Sequence, residues 1–307
     1  MDEYKKLLKS KYLRFAILRV LRFIPDKQML ELQYRIKFKR KLNLKNPQRF
    51  MDKIQWYKLN YKNSLMPLCA DKYTARQYVE AKGLGSILNE LYCVFDNPDS
   101  IDLSKLPQKF VLKLSNGSGT NYVCRDKSRA NESEIKALFK RFQFMVKANS
   151  GREWPYLEAK SVIVAEKLLE DSEHFNNAIN DYKIFCYNGQ PKYIICVSDR
   201  YSSHCNHLVY DCNWNKINAV SEGAILETNA PRPENLPEML EIARILSEEF
   251  PFARIDLYSI QGKIYFGEIT FYPWSGYMEY EPDSFDFELG RPFIIPFVNE
   301  DRAACLR

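Results

Sequence analysis

Apolar and polar residues alternate along several stretches of this chain, and other stretches repeat their apolar positions with the period of a helix. The alternating stretches predict strands at 91–95, 109–114, 161–168, 182–187, 191–198 and 207–210. The helical periodicity predicts helices at 3–24, 27–42, 132–148 and 234–249, and a further helix that Asp71 begins as N-cap and Gly83 ends. Helices and hairpin-like strand pairs interleave, which favours an α+β fold over a doubly wound parallel sheet.

The clearest strand pair is FARIDLYSIQGKIYFGEIT, with a turn at Gln261-Gly262. Side chains alternate between the faces of a strand, so Arg254 and Asp256 share one face, and Glu268 and Thr270 share a face of the partner strand. If the loop has three residues, with Gly262 in the left-handed conformation, both sets lie on the same side of the hairpin.

Two carboxylates on one sheet face repel each other unless a cation lies between them. Asp256 and Glu268 offer oxygen ligands, which a hard ion such as Mg2+ prefers. The alternative is a solvated sheet face with one ordinary ion pair between Arg254 and Asp256. Both interpretations are open at this point.

Composition narrows the class of protein. The chain has 307 residues, of which 46% are hydrophobic, enough for one large or two modest domains. Residues 1–45 hold 14 Lys and Arg against 4 Asp and Glu, so the net charge of +6 comes from this segment and the remainder is acidic. A basic nucleic-acid-binding body is therefore not indicated. The eight cysteines form no Cys-x-x-Cys pair, which predicts a reduced, cytoplasmic protein.

The basic helix predicted at 3–24 has two interpretations. It can lie on an anionic membrane surface, which would place the protein at the inner face of the membrane. It can equally pack on the protein body with its long basic side chains reaching solvent.

A strand ending in Lys113 is followed by the small, flexible loop Ser115-Asn116-Gly117-Ser118-Gly119. Such a loop can bring backbone N–H groups onto phosphate oxygens, and a lysine at the strand end adds a positive charge. It is neither a Walker A nor a Gly-x-Gly-x-x-Gly motif, and the alternative is a plain hairpin turn.

Four motifs follow one another along the chain. They are this lysine strand with its loop, Ala165-Glu166-Lys167-Leu168-Leu169, DYKIFCYNGQPKYIICVSDR, and Arg254-x-Asp256 with GKIYFGEITFYPWSGY. With these motifs the chain resembles, over about residues 66–295, the ATP-grasp superfamily, and more narrowly its TupA-like proteins of bacterial surface-polysaccharide and teichuronopeptide biosynthesis. The resemblance implies two α+β subdomains that clamp ATP, at 66–160 and 161–307, preceded by a basic, mainly helical region at 1–65.

The resemblance also implies site residues. For ATP they are the lysines Lys72 and Lys113, the lid residues Ser115, Gly117, Ser118 and Gly119, the adenine hinge Glu166, Lys167 and Leu169, and Glu173 (or Asp171) at the ribose. For Mg2+ they are Asp256, Glu268 and Thr270, where Thr270 replaces the Asn common in the superfamily and leaves the number of metal ions open. The residues implied to stabilise negative charge on the transferred phosphoryl group are Arg254 and Lys183. A salt bridge from Lys183 to Asp181 is the alternative for that lysine.

The implied activity is that of an ATP-dependent carboxylate–amine ligase that works through an acyl phosphate. Its substrates would be a carboxylate and an amine, such as a uronic acid or other sugar and an amino acid. A glycosyltransferase-like enzyme, a sugar phosphotransferase on the same fold and a non-catalytic binding protein are the alternatives; no Asp-x-Asp motif supports the first of them.

Two further clusters have alternative readings. Ser203-His204-Cys205-Asn206-His207 with Cys212 has donor atoms suited to zinc but irregular spacing, so a substrate-facing loop or local packing competes with a metal site. The aromatic residues of Phe271–Tyr277 either stack on a sugar or close the core.

Overall fold

The computed structural model describes residues 11–172, 179–198, 206–221 and 229–296. The helices are α1 (Lys11–Val20), α2 (Asp26–Phe38), α3 (Phe50–Asn60), α4 (Leu65–Ala70), α5 (Ala75–Ala81), α6 (Glu132–Lys147), α7 (Pro155–Glu158), α8 (Leu236–Ser247) and α9 (Ser284–Gly290). The strands are β1 (Leu91–Phe95), β2 (Phe110–Leu114), β3 (Asn121–Cys124), β4 (Ile163–Glu166), β5 (Asp181–Tyr187), β6 (Gln190–Ser198), β7 (Asn206–Asp211), β8 (Lys216–Ile217), β9 (Val220–Ser221), β10 (Phe252–Ile260), β11 (Lys263–Thr270) and β12 (Tyr280–Glu281). Helices and antiparallel sheets are mixed along the chain, and the α+β fold class is confirmed.

The chain forms two compact units. The first unit is Met1–Pro25, Ser64–Asn180 and Leu257–Ile269, and the second unit is Asp26–Asn63, Asp181–Asp256 and Thr270–Arg307. The strands form one sheet of order β1-β4-β2-β3, one of order β11-β10-β5-β6-β7-β8, and the pair β12-β9. The subdomain limits expected from the sequence stay a prediction.

Strand β2 explains how the first unit positions its charged residues. Phe110, Leu112 and Leu114 are fully buried in the hydrophobic core, with the α6 residue Phe139 also in this cluster. The intervening side chain of Lys113 therefore lies on the opposite face of the sheet. Val111 pairs with Glu166 of β4, which places that carboxylate on the same face as Lys113.

The N-terminal helix α1 packs on α6 through basic side chains. The Arg19 guanidinium lies 5.1 Å from the centroid of the Phe144 ring. The buried Arg152 donates hydrogen bonds to the carbonyl oxygens of Leu21, Arg22 and Ile24, which follow the helix. These bonds satisfy carbonyl groups that a helix end leaves without an intrahelical partner.

Apolar side chains of the same segment face outward: Ile17, Val20 and Phe23 are 38%, 72% and 78% exposed. The packing alternative is thus observed for part of the helix, and contact of residues 3–24 with a membrane stays a prediction. Within the described part of the chain, every helix is too short or too polar to cross a bilayer.

The hairpin of β10 and β11 is confirmed, but its loop is shorter than the three residues considered above. The loop is Gln261-Gly262, and both residues have positive φ, 49° and 77°. Two left-handed residues make a type I′ turn, the tight turn that suits the twist of antiparallel strands. The face shared by Asp256 and Glu268 stays a prediction, because it was argued from the longer loop.

An aromatic cluster forms the core of the second unit around Phe50, the first residue of α3. Its ring lies 5.0 Å from that of Phe252, 5.8 Å from Phe185 and 6.3 Å from Phe293, between ring centroids. Phe50 is fully buried. Helix α3 is therefore part of the core on which β5 and β10 rest, although no separate helix was predicted there.

A buried carboxylate fixes the start of α3. Asp286 of α9 accepts hydrogen bonds from the backbone N–H of Met51 at 3.0 Å, from Arg40 Nη2 at 3.3 Å and from Arg49 Nη1 at 3.4 Å. Despite these partners, burial raises the pKa of the Asp286 carboxyl to about 6. Loss of hydration thus outweighs the hydrogen bonds and the two arginines at this position.

Replacing Asp286 by Asn is expected to remove a pH dependence of stability. The folded protein holds the Asp286 proton more tightly than the unfolded chain does, because the folded pKa of about 6 exceeds the ordinary value of 3.8. The stabilising contribution is therefore complete below about pH 4 and lost as the pH rises through about 6. In urea unfolding over this range, the free energy of unfolding of the wild type is expected to fall relative to Asp286→Asn, by at most about 1.4 kcal/mol per pH unit.

Asp283 provides a control of opposite sign. A hydrogen bond from Arg49 lowers the pKa of the Asp283 carboxyl, so its contribution is lost as the pH falls. The effect of Asp283→Asn should be small because the side chain is 62% exposed. Parallel stability curves for the wild type and Asp286→Asn would contradict the raised pKa.

Candidate functional site

Charged residues of the first unit gather around Glu166 at the end of β4. Lys113 Nζ donates a hydrogen bond to Glu166 Oε2 at 2.8 Å, and Arg76 Nη1 lies 3.6 Å from Glu166 Oε1. Arg76 also donates to the carbonyl oxygen of Asn89. The Glu166 side chain is only 9% exposed, so its charge is balanced inside the protein by two cations. Lys113 and Glu166 were predicted as site residues; Arg76 was not.

Lys72 links the glycine-rich loop to β11. Its Nζ donates to the carbonyl oxygen of Gly117 at 2.6 Å and lies 3.6 Å from Glu268 Oε2. Its backbone N–H donates to the carbonyl oxygen of Ser115 at 2.9 Å. Asp71, predicted as the N-cap, accepts from the N–H groups of the two residues after Lys72, but helix α5 begins only at Ala75 and Thr74 holds the N-cap position. The structure thus brings together a predicted nucleotide lysine, the predicted lid and a predicted metal ligand.

Within the loop, only the tip is accessible. Ser115 is fully buried, and its Oγ accepts a hydrogen bond from the N–H of Val162. A Cβ at Gly117 would lie 2.3 Å from Thr120 Oγ1, so the close approach requires glycine. Ser118 and Gly119 are exposed, and Gly119 has a φ of 63°. The tip, rather than Ser115, has the exposure needed for contact with a phosphate.

The predicted hinge follows β4 and is held by its own neighbours. The N–H of Lys167 donates to the carbonyl oxygen of Glu90 at 2.9 Å, and the Lys167 carbonyl oxygen accepts from Asn89 Nδ2 at 2.8 Å. Leu169 is half-buried. The predicted ribose ligand Glu173 lies outside the described residues. Adenine recognition by this segment stays a prediction.

The second unit holds a buried ionic network, which we call the β5–β10 network: Asp181 and Lys183 on β5, Arg254 and Asp256 on β10, and Thr270 at the end of β11. Lys183 Nζ lies 2.6 Å from one carboxylate oxygen of Asp181 and 2.6 Å from Asp256 Oδ2. Both partners of the lysine are buried. The salt bridge to Asp181, raised as the alternative for Lys183, is observed; it lies along one strand, and Asp256 is a second partner.

Arg254 also belongs to this network, because it lies on the same face of β10 as Asp256. Its Nε donates to Asp256 Oδ1 at 2.6 Å and its Nη2 to Asp256 Oδ2 at 2.7 Å, a bidentate pair. The Nη2 atom also donates to Thr270 Oγ1 at 3.1 Å. The ordinary Arg–Asp pair considered from the sequence is therefore present, but it is buried and has Lys183 and Thr270 joined to it.

A strained loop carries an aromatic ring to Arg254. The Arg254 guanidinium carbon lies 5.4 Å from the centroid of the Trp274 ring. Trp274 and Ser275 both have positive φ, 47° and 57°, a conformation that non-glycine residues rarely adopt. Helix α3 holds this loop: Gln55 Nε2 donates to the carbonyl oxygen of Gly276 at 2.8 Å, and Lys58 Nζ to that of Ser275 at 2.7 Å. The sequence analysis identified the aromatic segment, but it did not identify Gln55 or Lys58 as residues that hold it.

The residues predicted to hold Mg2+ have the right donor chemistry. Asp256, Glu268 and Thr270 offer oxygen atoms, and a carboxylate oxygen that accepts one hydrogen bond keeps a second lone pair. The Asp256 carboxylate already pairs with Arg254 and Lys183, so a metal ion bound there would compete with these two cations. Glu268 is 32% exposed on its side chain and meets Lys72 only at 3.6 Å. Among the residues described, there is no cluster of three or more His, Cys, Asp or Glu arranged to hold a metal.

The zinc alternative concerns residues that are partly outside the described chain. His204 and Cys205 are not described. His207 Nδ1 lies 2.6 Å from Ser221 Oγ, and its ring lies 6.4 Å from that of Trp274. This histidine thus has a hydrogen-bond partner and an aromatic neighbour, which agrees with the alternative that the cluster reflects local packing.

The described residues thus form an α+β protein with Lys113 on the strand before a glycine-rich loop, and with a buried Lys–Arg–Asp network on a second sheet. A sequence model of the TupA-like ATPgrasp family matches residues 52–294, and the chain belongs to this family. The resemblance drawn from the motifs is confirmed, and with it the ATP-grasp fold. No curated protein matches the chain.

Several solved structures are similar in fold. They include D-alanine–D-alanine ligase from Bacillus anthracis, with 16% identity, a TM-score of 0.40 and coverage of 66% of this chain and 57% of that one. L-amino acid ligase from Bacillus licheniformis has 15% identity, a TM-score of 0.44 and coverage of 83% and 57%. Phosphoribosylamine–glycine ligase from Thermotoga maritima has 14% identity, a TM-score of 0.42 and coverage of 76% and 56%. The chain spans a little more than half of the length of each.

Proposed function

We propose that this protein is an ATP-dependent carboxylate–amine ligase that acts in the biosynthesis of a bacterial surface polysaccharide, of the capsule or teichuronopeptide type. Membership of the TupA-like ATPgrasp family supports the ATP-dependent class and the pathway. The β5–β10 network is the observation that carries the chemistry, because it buries two cations, Lys183 and Arg254, on either side of one carboxylate. Buried, fixed cations stabilise charge on a transferred phosphoryl group more strongly than solvated ones.

In the proposed first step, a carboxylate oxygen of the substrate attacks the γ-phosphorus of ATP, the bond to the β-phosphate oxygen breaks, and ADP leaves. Lys113 and Lys72 bind phosphates, and the exposed tip at Ser118-Gly119 donates backbone N–H groups to them. Lys183 and Arg254 offset negative charge on the γ-phosphoryl group. Mg2+, held by Asp256, Glu268 and Thr270, would neutralise the phosphate oxygens when bound.

In the second step, an amine nitrogen attacks the carbonyl carbon of the acyl phosphate. Phosphate leaves with the electron pair of the broken C–O bond, the nitrogen loses a proton, and an amide remains. The protein needs to supply no nucleophile. Its contribution is to position both substrates and to exclude the water that would hydrolyse the acyl phosphate.

Product analysis tests this function. The full-length protein is incubated with Mg-ATP and a panel of uronic acids and amino acids, and ADP, AMP and adduct masses are followed. ADP together with an amide-linked product is the expected result. ADP with a phosphorylated sugar would identify a phosphotransferase, and turnover of sugar nucleotides alone would identify a glycosyltransferase; either result overturns the ligase proposal.

Replacing Glu268 by Gln is expected to lower the rate of ADP formation at least about 100-fold, because an amide oxygen is a weaker ligand for Mg2+ and balances no charge. The side chain keeps its size, and Lys72 keeps Gly117 as a partner, so the fold should persist. Steady-state ADP release measures the effect. The control is Glu238→Gln on α8, an exposed residue outside both charged groups. Full activity of Glu268→Gln would show that Glu268 does not hold the metal.

A further inference from the structure

A row of apolar side chains on the outer face of α1 has no role in the proposed function. Leu13, Ile17 and Val20 are spaced i, i+4 and i+7, which places their side chains on one face of a helix. Phe23 ends the short 3-10 helix Leu21–Phe23, and in such a helix residues three apart lie one above the other, so Phe23 extends the same face. We call these four residues the α1 stripe.

The polarity of α1 is the reverse of that of an ordinary surface helix, which buries its apolar face and exposes its charges. All four residues of the stripe are exposed, and Val20 and Phe23 are the most exposed large apolar side chains in the described part of the chain. The Arg19 side chain, in contrast, reaches back to the protein and covers the Phe144 ring of α6. An apolar surface left open in this way is typical of a contact site.

The end of α1 is held in place by its neighbours in the first unit. The buried Arg152 binds the three carbonyl oxygens that follow the helix, and Arg22 Nη1 donates a hydrogen bond to the carbonyl oxygen of Lys147 at 3.2 Å. These bonds fix the backbone beside Val20 and Phe23 while both side chains stay exposed. A surface that is already ordered loses little conformational entropy when it binds.

The two segments that form this surface are basic throughout. Residues 4–25 contain seven Lys and Arg and no Asp or Glu, and residues 135–152, which include the part of α6 that α1 contacts, contain five and none. Two of the α6 lysines pair with acidic residues of the same unit, whereas Arg141 and Lys147 are exposed in the half of α6 that α1 contacts. An apolar stripe with a basic rim is complementary to an anionic bilayer, which is apolar inside and negative at its surface.

A second copy of the chain fits this surface poorly. In a symmetric dimer the stripe would pack against itself, which would bring the basic segments of both copies together without an acidic residue from either. Four apolar side chains are also few beside the roughly 20 residues that each partner contributes to a stable protein interface. A bilayer surface requires no matching shape, so a short stripe is sufficient.

We propose that the α1 stripe binds the surface of a bilayer that contains anionic lipids. Helix α1 lies along the membrane plane, Val20 and Phe23 insert below the lipid headgroups, and Arg14 and Arg22 pair with lipid phosphates. This attachment does not rest on the ligase function, and its test uses no ATP.

Vesicle flotation of the full-length protein tests the attachment. The protein is mixed with vesicles of phosphatidylcholine, with or without phosphatidylglycerol, and bound protein is measured at low and at high salt. Binding to the anionic vesicles is expected, and it should weaken as salt screens the charges. Failure to bind anionic vesicles at low salt, or equal binding to both kinds of vesicle, would overturn the proposal.

Variants place the contact on the stripe. Val20→Ser combined with Phe23→Ser changes exposed side chains only and should weaken binding to anionic vesicles about tenfold or more. Val123→Ser is the control, because this exposed valine pairs with Val111 on the sheet face opposite to the core that contains Phe139 of α6. The control should bind as the wild type does. Unchanged binding of the double variant, or an equal loss in the control, would contradict a contact through the stripe.

Two further measurements distinguish insertion from other uses of the stripe. Brominated lipids should quench the emission of Phe23→Trp more than that of the wild type, since the added ring reaches the acyl chains; equal quenching would refute insertion. Sedimentation without lipid should give the same mass for the wild type and the double variant. A wild-type dimer that the double variant dissociates would show that a second copy occupies the stripe, and would overturn the proposal.

Discussion

Replacing Lys183 by Met is expected to lower both stability and turnover. Lys183 Nζ lies 2.6 Å from Asp181 and from Asp256, and all three side chains are less than 10% exposed. Without the lysine, the buried carboxylates of Asp181 and Asp256 lose the cation that lies between them, and an uncompensated buried charge destabilises a protein by about 3 kcal/mol or more. ADP formation should fall at least about 1,000-fold, since a fixed cation at the phosphoryl group is lost. Urea unfolding and ADP release measure the two effects.

A double variant separates the structural effect of Lys183 from the catalytic one. Adding Asp181→Asn to Lys183→Met removes the excess negative charge, so stability should partly return while turnover stays low. Lys216→Met on β8, an exposed lysine of the same unit, is the control and should change neither quantity. Normal turnover of Lys183→Met would refute a role for this lysine in phosphoryl transfer.

Replacing Gly276 by Ala is expected to destabilise the protein by about 2–4 kcal/mol. Gly276 has a φ of 68°, and an added Cβ would lie 2.5 Å from Gln55 Nε2 and 2.9 Å from Ile54 Cγ2. Both neighbours lie on α3, which is buried in the core and cannot retreat. The loop would therefore have to move, and Trp274 would move away from Arg254. Urea unfolding and the fluorescence of the tryptophans report the two changes.

Gly83 is the matched control for this substitution. Its φ of 76° imposes the same backbone strain, but nothing lies within 4 Å of an added Cβ. Gly83→Ala should therefore destabilise the protein by only about 1 kcal/mol. Equal effects at the two positions would show that α3 does not press on the loop.

Local sequence patterns predicted much of this fold because they depend only on neighbouring residues. The strand expected at 91–95 is found at Leu91–Phe95, and the helix expected at 132–148 at Glu132–Lys147. The turn at Gln261-Gly262 was recognised, but its length was not, since two- and three-residue loops can use the same dipeptide. Helix α3 was missed because its residues are buried on nearly all sides and show no clear polar face.

The candidate site was harder to predict than the strands that carry it. Lys183 and Asp256 are 73 positions apart, and Lys113 and Glu166 are 53 apart. Periodicity places each on a face of its own strand but does not say which strands become neighbours. The resemblance to a family implied that these residues serve one nucleotide site, but it predicted neither the Lys183–Asp256 nor the Lys113–Glu166 pairing. It did not supply Arg76, Gln55 or Lys58, whose positions on helices gave no signal of a role at the site.

The bonds from Arg152 to the segment that follows α1 bear on where the protein can be shortened. The family match begins at residue 52, which invites a truncated version that starts there. Such a version would lack all three carbonyl oxygens that Arg152 binds, as well as Tyr34 and Phe38 of the second-unit core. Residues 21–38 therefore contribute to the tertiary structure of both units, and we expect a version that starts at residue 52 to be less stable than the whole chain.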